Sequence, residues 1–226
     1  MEGVYADSSQ GADNRFSGLL FKRAPGFFDI VGYTGTGSAT TINHNLGSAP
    51  EMMWIKNRDD AESWSVYHKD QGADKNIWLN DSNGGITNDR FNNTAPTASV
   101  FSVKTDNAVN SSGDTYIAYL FATLSGISKV GSYTGTGNDI NVDCGFTAGA
   151  RFVLIKRTDS SGGWHIWDTA RGIIAGNDPY ILLDTTAGEV TNTDYIDPLS
   201  AGFTVTSTAP AELNASGGTY LYLAIA

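Results

Sequence analysis

Three histidines, one cysteine and a few close carboxylates are the groups in this 226-residue chain best suited to acid–base or nucleophilic chemistry. His44, His68 and His165 are far apart, and none has a nearby serine or cysteine in a recognisable nucleophile motif. Asp59, Asp60 and Glu62 could supply the acid and base of a glycosidase, which needs two carboxyl groups roughly 5–10 Å apart. Asp81-Ser82-Asn83-Gly84-Gly85 has the oxygen-bearing side chains and bend-permitting glycine of a calcium loop, but not the distal bidentate glutamate. Trp54, Trp64, Trp78 and Trp167 offer faces that could stack on sugar rings. Gly35-Thr36-Gly37 opens no helix, so it is not a phosphate loop.

An internal repeat weighs these candidates against one another. Tyr33-Thr34-Gly35-Thr36-Gly37 returns as Tyr133-Thr134-Gly135-Thr136-Gly137, and Ile55-Lys56, Asp59, Trp64 and Gly72 return at the same offset of 100. The offset grows to 102 at Phe101-Ser102-Val103 and to 104 at Thr115-Tyr116, so insertions fall in loops while the apolar runs keep their order. A position present in both copies serves what the copies share. No histidine recurs: His44 aligns with Val142, His68 with Asp168 and His165 with Ser65. Of the carboxylates only Asp59 recurs, as Asp159, and in a predicted turn it is expected to cap that turn. The second copy of the calcium-like loop, Asp184-Thr185-Thr186-Ala187-Gly188, has fewer ligands, so a plain turn is expected. Trp64 and Trp164 recur and read as core anchors, and Trp54 and Trp78 align with Leu154 and Leu182, which also favours burial. Cys144 stands opposite Leu46 and reads as a small buried apolar residue. No catalytic set, metal site or cofactor site emerges, and the chain reads as a non-enzyme.

Composition agrees with a β-rich reading. With 26 glycines, 40% hydrophobic and 17% charged residues, the chain favours many short strands joined by turns. The net charge of −10 is shared between the copies, and neither has the basic stripe that nucleic acid requires. The acidity suits solubility. A single cysteine excludes an intrachain disulfide. No apolar run approaches the roughly 18 residues of a membrane span, and Met1 to Gln10 lacks the pattern of a signal peptide.

Alternation and β-branched or aromatic content predict strands in the first copy over 28–33, 40–44, 52–56, 64–68, 76–80, 100–103 and 115–122, with poor helix signals throughout. The fold class expected is all-β, as two tandem antiparallel β-sandwich, jelly-roll-like domains at 28–126 and 127–226 behind an N-terminal arm and docking segment at 1–27. The last strand of each copy is apolar on both alternating faces, so each should lie centrally and be covered on both sides, by the other repeat or by another subunit. Phe16, Leu19, Leu20, Phe21 and Phe27 form an apolar cluster before the first copy with no counterpart before the second, and they are the expected docking residues.

The stretches Phe21-Lys22-Arg23-Ala24-Pro25-Gly26-Phe27-Phe28-Asp29, Tyr33-Thr34-Gly35-Thr36-Gly37, Asn43-His44-Asn45-Leu46-Gly47 and Trp64-Ser65-Val66-Tyr67-His68 resemble a repeated domain encoded by phages of marine and other aquatic bacteria. Such domains occur in virion structural and tail-fibre-like proteins. The second copy departs from the pattern at Asn141 to Gly145. The resemblance implies a virion setting, with other virion proteins and further copies of the chain, a trimer among the options, as partners. It supplies no catalytic or binding residue. A tail-fibre or adhesin component, or a capsid decoration protein, is therefore expected. The alternative is a module that binds host surface glycan through Trp78 and Trp167, and a polysaccharide-degrading spike ranks below both.

Overall fold

The computed structural model describes residues 20–226. Phe16 and Leu19 lie outside the described residues. The alternating stretches are strands at nearly the expected bounds. The first copy contains β1 (Phe28–Thr34), β2 (Thr40–Asn43), β3 (Met52–Asn57), β4 (Ser65–His68), β5 (Lys75–Trp78), β6 (Ile86–Thr87), β7 (Val100–Val103), the one-turn helix α1 (Asn107–Asn110) and β8 (Thr115–Phe121). The second contains β9 (Ser128–Thr134), β10 (Ile140–Asp143), β11 (Phe152–Arg157), β12 (Trp164–Asp168), β13 (Ile181–Leu182), β14 (Ile196–Leu199), β15 (Gly202–Val205), α2 (Ala211–Asn214) and β16 (Thr219–Ile225).

All paired strands run antiparallel, in sheets of order β1-β8-β3-β4-β5-β6, β13-β12-β11-β16-β9, β10-β15-β14 and β2-β7. Three apolar cores hold these sheets in layers. Phe101 and Val103 of β7 pack with Met53, Ile55, Tyr116 and Leu120 to join β2-β7 to the six-stranded sheet. Phe203, Val205 and Ile196 pack with Val153, Trp167 and Tyr222 to join the three-stranded sheet to the five-stranded one. The third core lies between the copies, where Phe28, Met52, Trp54, Val66 and Phe121 meet Phe152, Leu154, Trp164, Leu223 and Ile225.

This third core explains the two-faced terminal strands. Because side chains alternate across a strand, Leu221, Leu223 and Ile225 of β16 enter the shared core while Tyr220, Tyr222 and Ala224 enter the core of their own copy. The layer that covers the second face is the other repeat. Separating the copies would return these side chains to water at about 1.5–3 kcal/mol for each large apolar residue.

The repeated Tyr-Thr-Gly-Thr-Gly segment is a lock on the one-turn helix. The Tyr33 hydroxyl donates to Val109 O (2.6 Å), and the Tyr133 hydroxyl to Leu213 O (2.7 Å). Thr36 N donates to Asn110 Oδ1 (2.8 Å), and Thr136 N to Asn214 Oδ1 (3.0 Å). A Cβ on Gly35 would stand 2.0 Å from Ser111 O, and one on Gly135 2.2 Å from Ala215 O, so glycine is required at both positions.

The approach to β1 corrects one expectation. Ala24 and Phe28 form a bridged turn with Gly26 at φ +73°, and Leu124 and Ser128 form its counterpart with Gly126 at φ +72°. Phe27 therefore answers Ile127. The segment has an equivalent in the second copy that residue identity had hidden.

Candidate functional site

The side chains with chemical potential are held in structural roles. His44 Nε2 lies 3.1 Å from Thr97 O, and its Nδ1 accepts from Leu46 N. His68 is buried, its Nδ1 accepts from Asp70 N (3.2 Å), and burial lowers its pKa to about 4. His165 stacks on Trp167 with ring centroids 5.6 Å apart, and burial lowers its pKa as well. Cys144 is buried beside Val142, and burial pushes its thiol up to about 12, well away from the thiolate a nucleophile needs. Among the described residues no group of three or more His, Cys, Asp or Glu could hold a metal ion.

Asp59 does not cap its own turn. Its Oδ2 accepts from Thr115 N (2.5 Å) and Thr115 Oγ1 (2.8 Å), fastening the start of β8, while Asn57 Oδ1 takes the turn amides of Asp59 and Asp60. Asp159 repeats the contact on Thr219 N (3.0 Å). Asp178 was not singled out by its sequence context, yet it is fully buried. Its two oxygens accept from Tyr195 N (2.9 Å) and Ile196 N (3.1 Å), and desolvation pushes its carboxyl up to about 6.

The calcium-like loop is a clamp between the copies. Ser82 O accepts from Gly162 N (2.9 Å) and from Lys156 Nζ (2.8 Å), and Gly85 N donates to Thr158 O (3.0 Å). Within the loop Asn83 N donates to Asp81 Oδ1 (2.8 Å), so the segment turns as expected, and in addition its Ser82 carbonyl is spent on donors of the other copy.

The tryptophans also depart from expectation. Trp167 is fully buried and its Nε1 donates to Asp178 O (3.1 Å), so it presents no face to a sugar. Trp78 is half-buried under the Arg90 guanidinium, 4.1 Å from its ring centroid, and its carbonyl accepts from Trp164 Nε1 (2.8 Å). The alternative glycan surface built on Trp78 and Trp167 is therefore not assembled. Trp164 is a core anchor as expected, but Trp64 is only half-buried, stacked on Tyr119 at 6.0 Å beside a cavity of about 310 Å³.

Leu20, Phe21 and Phe27, the described members of the expected docking cluster, lie at the seam. Phe21 sits 5.3 Å from Phe28, 5.4 Å from Phe121 and 6.1 Å from Phe152, spanning both copies. Phe27 packs beside it, whereas Leu20 is 42% exposed. Together with Lys22, Ile127 and Arg151 they border a groove of about 600 Å³. Ile127 is 45% exposed, and neither Lys22 nor Arg151 has a carboxylate partner among the described residues. Sequence reasoning missed Ile127 because the second copy of the turn was not recognised.

A family model described as "Domain of unknown function (DUF7483)" matches residues 21–226 and so takes in both copies. No curated protein and no solved structure matches the chain. No helix among the described residues is long and apolar enough to cross a membrane.

Proposed function

We propose that this chain, which belongs to the family described as domain of unknown function DUF7483, is a non-enzymatic phage virion structural protein. It acts as a tail-fibre or adhesin component or as a capsid decoration protein, through contacts with other virion proteins and with further copies of itself. The finer fold reading that accompanies this is a pair of jelly-roll-like sandwiches behind an N-terminal arm.

The observation that carries the reading is the seam groove. Two of the large apolar side chains that remain exposed, Leu20 and Ile127, lie on the same groove. An apolar surface rimmed by polar groups is the mark of a protein contact site. The histidines and the cysteine, by contrast, are buried in the fold's own hydrogen bonding and packing.

Deleting residues 1–27 would strip Phe21 and Phe27 from the shared core, so surface substitutions are the cleaner test. The wild-type chain is expected to sediment as a homo-oligomer and to be found by mass spectrometry in purified particles. The double variant Leu20→Asp, Ile127→Asp should be monomeric and absent from particles, with an unchanged melting temperature. A monomeric wild-type chain that is missing from particles would overturn the reading.

A further inference from the structure

On another stretch of the seam lies a cleft of about 520 Å³ whose lining mixes polar and apolar surface. One wall is formed by the first copy, with Asp70 and Gln71 of the β4–β5 turn and Lys75 at the start of β5. The floor is the second copy, where Ser132 and Thr134 of β9 lie beside Thr158 and Thr219, with Tyr133, Tyr220 and Leu221 supplying apolar surface between them. The volume falls within the roughly 300–1,000 Å³ usual for small-ligand clefts.

The free valences in this lining are specific. Asp70 is exposed, and its carboxylate has no hydrogen-bond or ion-pair partner among the described residues. The hydroxyls of Ser132 and Thr134 are likewise exposed and unpartnered there. Lys75 Nζ donates to Thr87 Oγ1 (2.7 Å), which leaves two of its three N–H groups to give. Thr158 and Thr219 share a hydroxyl pair at 2.8 Å, and each oxygen retains accepting capacity.

Ligand classes separate on this lining. A simple anion would meet one ammonium offset by the Asp70 carboxylate, on a chain of net charge −10. A divalent cation would find one carboxylate beside an ammonium, where several oxygen ligands are needed. A wholly apolar ligand would bury the carboxylate, ammonium and hydroxyls unpaired. A neutral pyranose carries a donor and an acceptor on every hydroxyl and apolar C–H faces on its ring, so it satisfies the polar groups and the Tyr133, Tyr220 and Leu221 surface together. The strand ends at Ser132, Thr134 and Thr219 fix the floor by their pairing, which gives the preorganisation that recognition of a rigid ring requires.

We infer that this inter-copy cleft is a binding site for a neutral pyranoside, held by Asp70 and Lys75 from one copy and by Ser132 and Thr134 from the other. The site is unrelated to the tryptophans, and it goes beyond the assembly role proposed above.

The test is an NMR titration of the isotopically labelled full chain with methyl β-D-galactopyranoside, methyl α-D-mannopyranoside and methyl α-D-glucopyranoside, each up to about 100 mM. Sodium sulfate and calcium chloride serve as parallel arms. At least one glycoside should cause saturable shifts of the Asp70, Gln71, Ser132 and Thr134 amides. Asp70→Ala and Thr134→Val should each weaken that binding about tenfold, with unchanged melting temperatures. The inference fails if no glycoside moves these amides, if only sulfate or calcium does, or if both variants bind as the wild type does. None of these outcomes bears on particle incorporation, so the assembly reading stands or falls separately.

Discussion

Lys56 and Lys156 occupy the same place in β3 and β11, yet they hold different things. Lys56 Nζ donates to Asn57 O (2.5 Å) and Asp60 O (3.0 Å), closing the turn beside it. Lys156 is fully buried and donates to Gly162 O (2.5 Å) in its own copy and to Ser82 O (2.8 Å) in the other. Burial lowers its pKa to about 8, with Asp184, Asp81 and Glu212 pulling the other way. The loop it grips shows the same asymmetry, since Gly84 fits against Thr158 O while its counterpart Gly188 lies in open space. Duplication supplied two equal faces, and the shared core used one loop of the first copy to fasten the second. Features common to both copies thus report on the sandwich, and those found in one report on the seam.

The largest effects should fall on what the copies share. Asn110 accepts from Thr36 N and donates to Ser38 O (2.7 Å) and Lys104 O (2.6 Å). Asn214 does the same with Thr136 N, Asn138 O (2.9 Å) and Thr206 O (2.8 Å). Both are buried, so replacing either by alanine leaves several polar groups without partners. Asn110→Ala and Asn214→Ala should each cost about 3–4 kcal/mol in urea denaturation, and by similar amounts. A large inequality would break the claim that this lock serves both copies alike.

The lysines should behave unequally. Lys156→Ala removes two charge-assisted hydrogen bonds from a buried site and should cost about 2–4 kcal/mol. Lys56→Ala should cost under about 1 kcal/mol, in keeping with a partly exposed contact. Equal losses in denaturation would mean that the clamp contributes nothing particular to the seam. The loop gives a finer test. A Cβ on Gly84 would lie 2.6 Å from the Thr158 carbonyl oxygen, whereas one on Gly188 meets nothing within 4 Å. Gly84→Ala should therefore destabilise by about 1–2 kcal/mol and deprotect the Gly85 amide in hydrogen exchange, with Gly188→Ala near neutral.

Much of this was legible in residue order, because alternation over four to seven residues is a local property. The strands of the first copy fall where period-two patterning puts them, apart from the two-residue β6, which is too short to carry a period. The one-turn helices escaped for the same reason, although Asn110 and Asn214 recur in them. What stayed hidden is partnership across the chain. Asp59 reaches Thr115, Ser82 reaches Lys156, and Trp78 reaches Trp164, over separations that no window spans. The burial of Trp167 is of the same kind, since it depends on the sheet laid over it. The docking cluster was half legible: Phe21 and Phe27 stood out by composition, but their relation to Ile127 needed the turn geometry at Gly26 and Gly126.

The smallest expected effect lies where the copies perform one task with different residues. His68 and Asp168 end β4 and β12, and each accepts from the amide two residues on: Asp70 N to His68 Nδ1 at 3.2 Å, and Ala170 N to Asp168 Oδ1 at 2.9 Å. The imidazole makes the first copy's turn acid-sensitive. Burial lowers the His68 pKa from the ordinary 6.5 to about 4; Lys69 adds to this, and Asp70 and Glu51 oppose it. Between those values the unfolded chain takes up a proton that the folded chain refuses, so stability should fall as pH drops from 6.5 toward about 4. Above pH 6.5 the group is neutral in both states and its contribution is complete. His68→Gln keeps an acceptor for the turn and cannot titrate, so the urea midpoint should decline less between pH 7 and pH 4.5 than in the wild type. His44 and His165, whose pKa values are also lowered by burial, should leave a residual slope in the variant. An unchanged slope would mean that His68 is already solvated in the folded chain, and that the seam at the end of β4 is open to water.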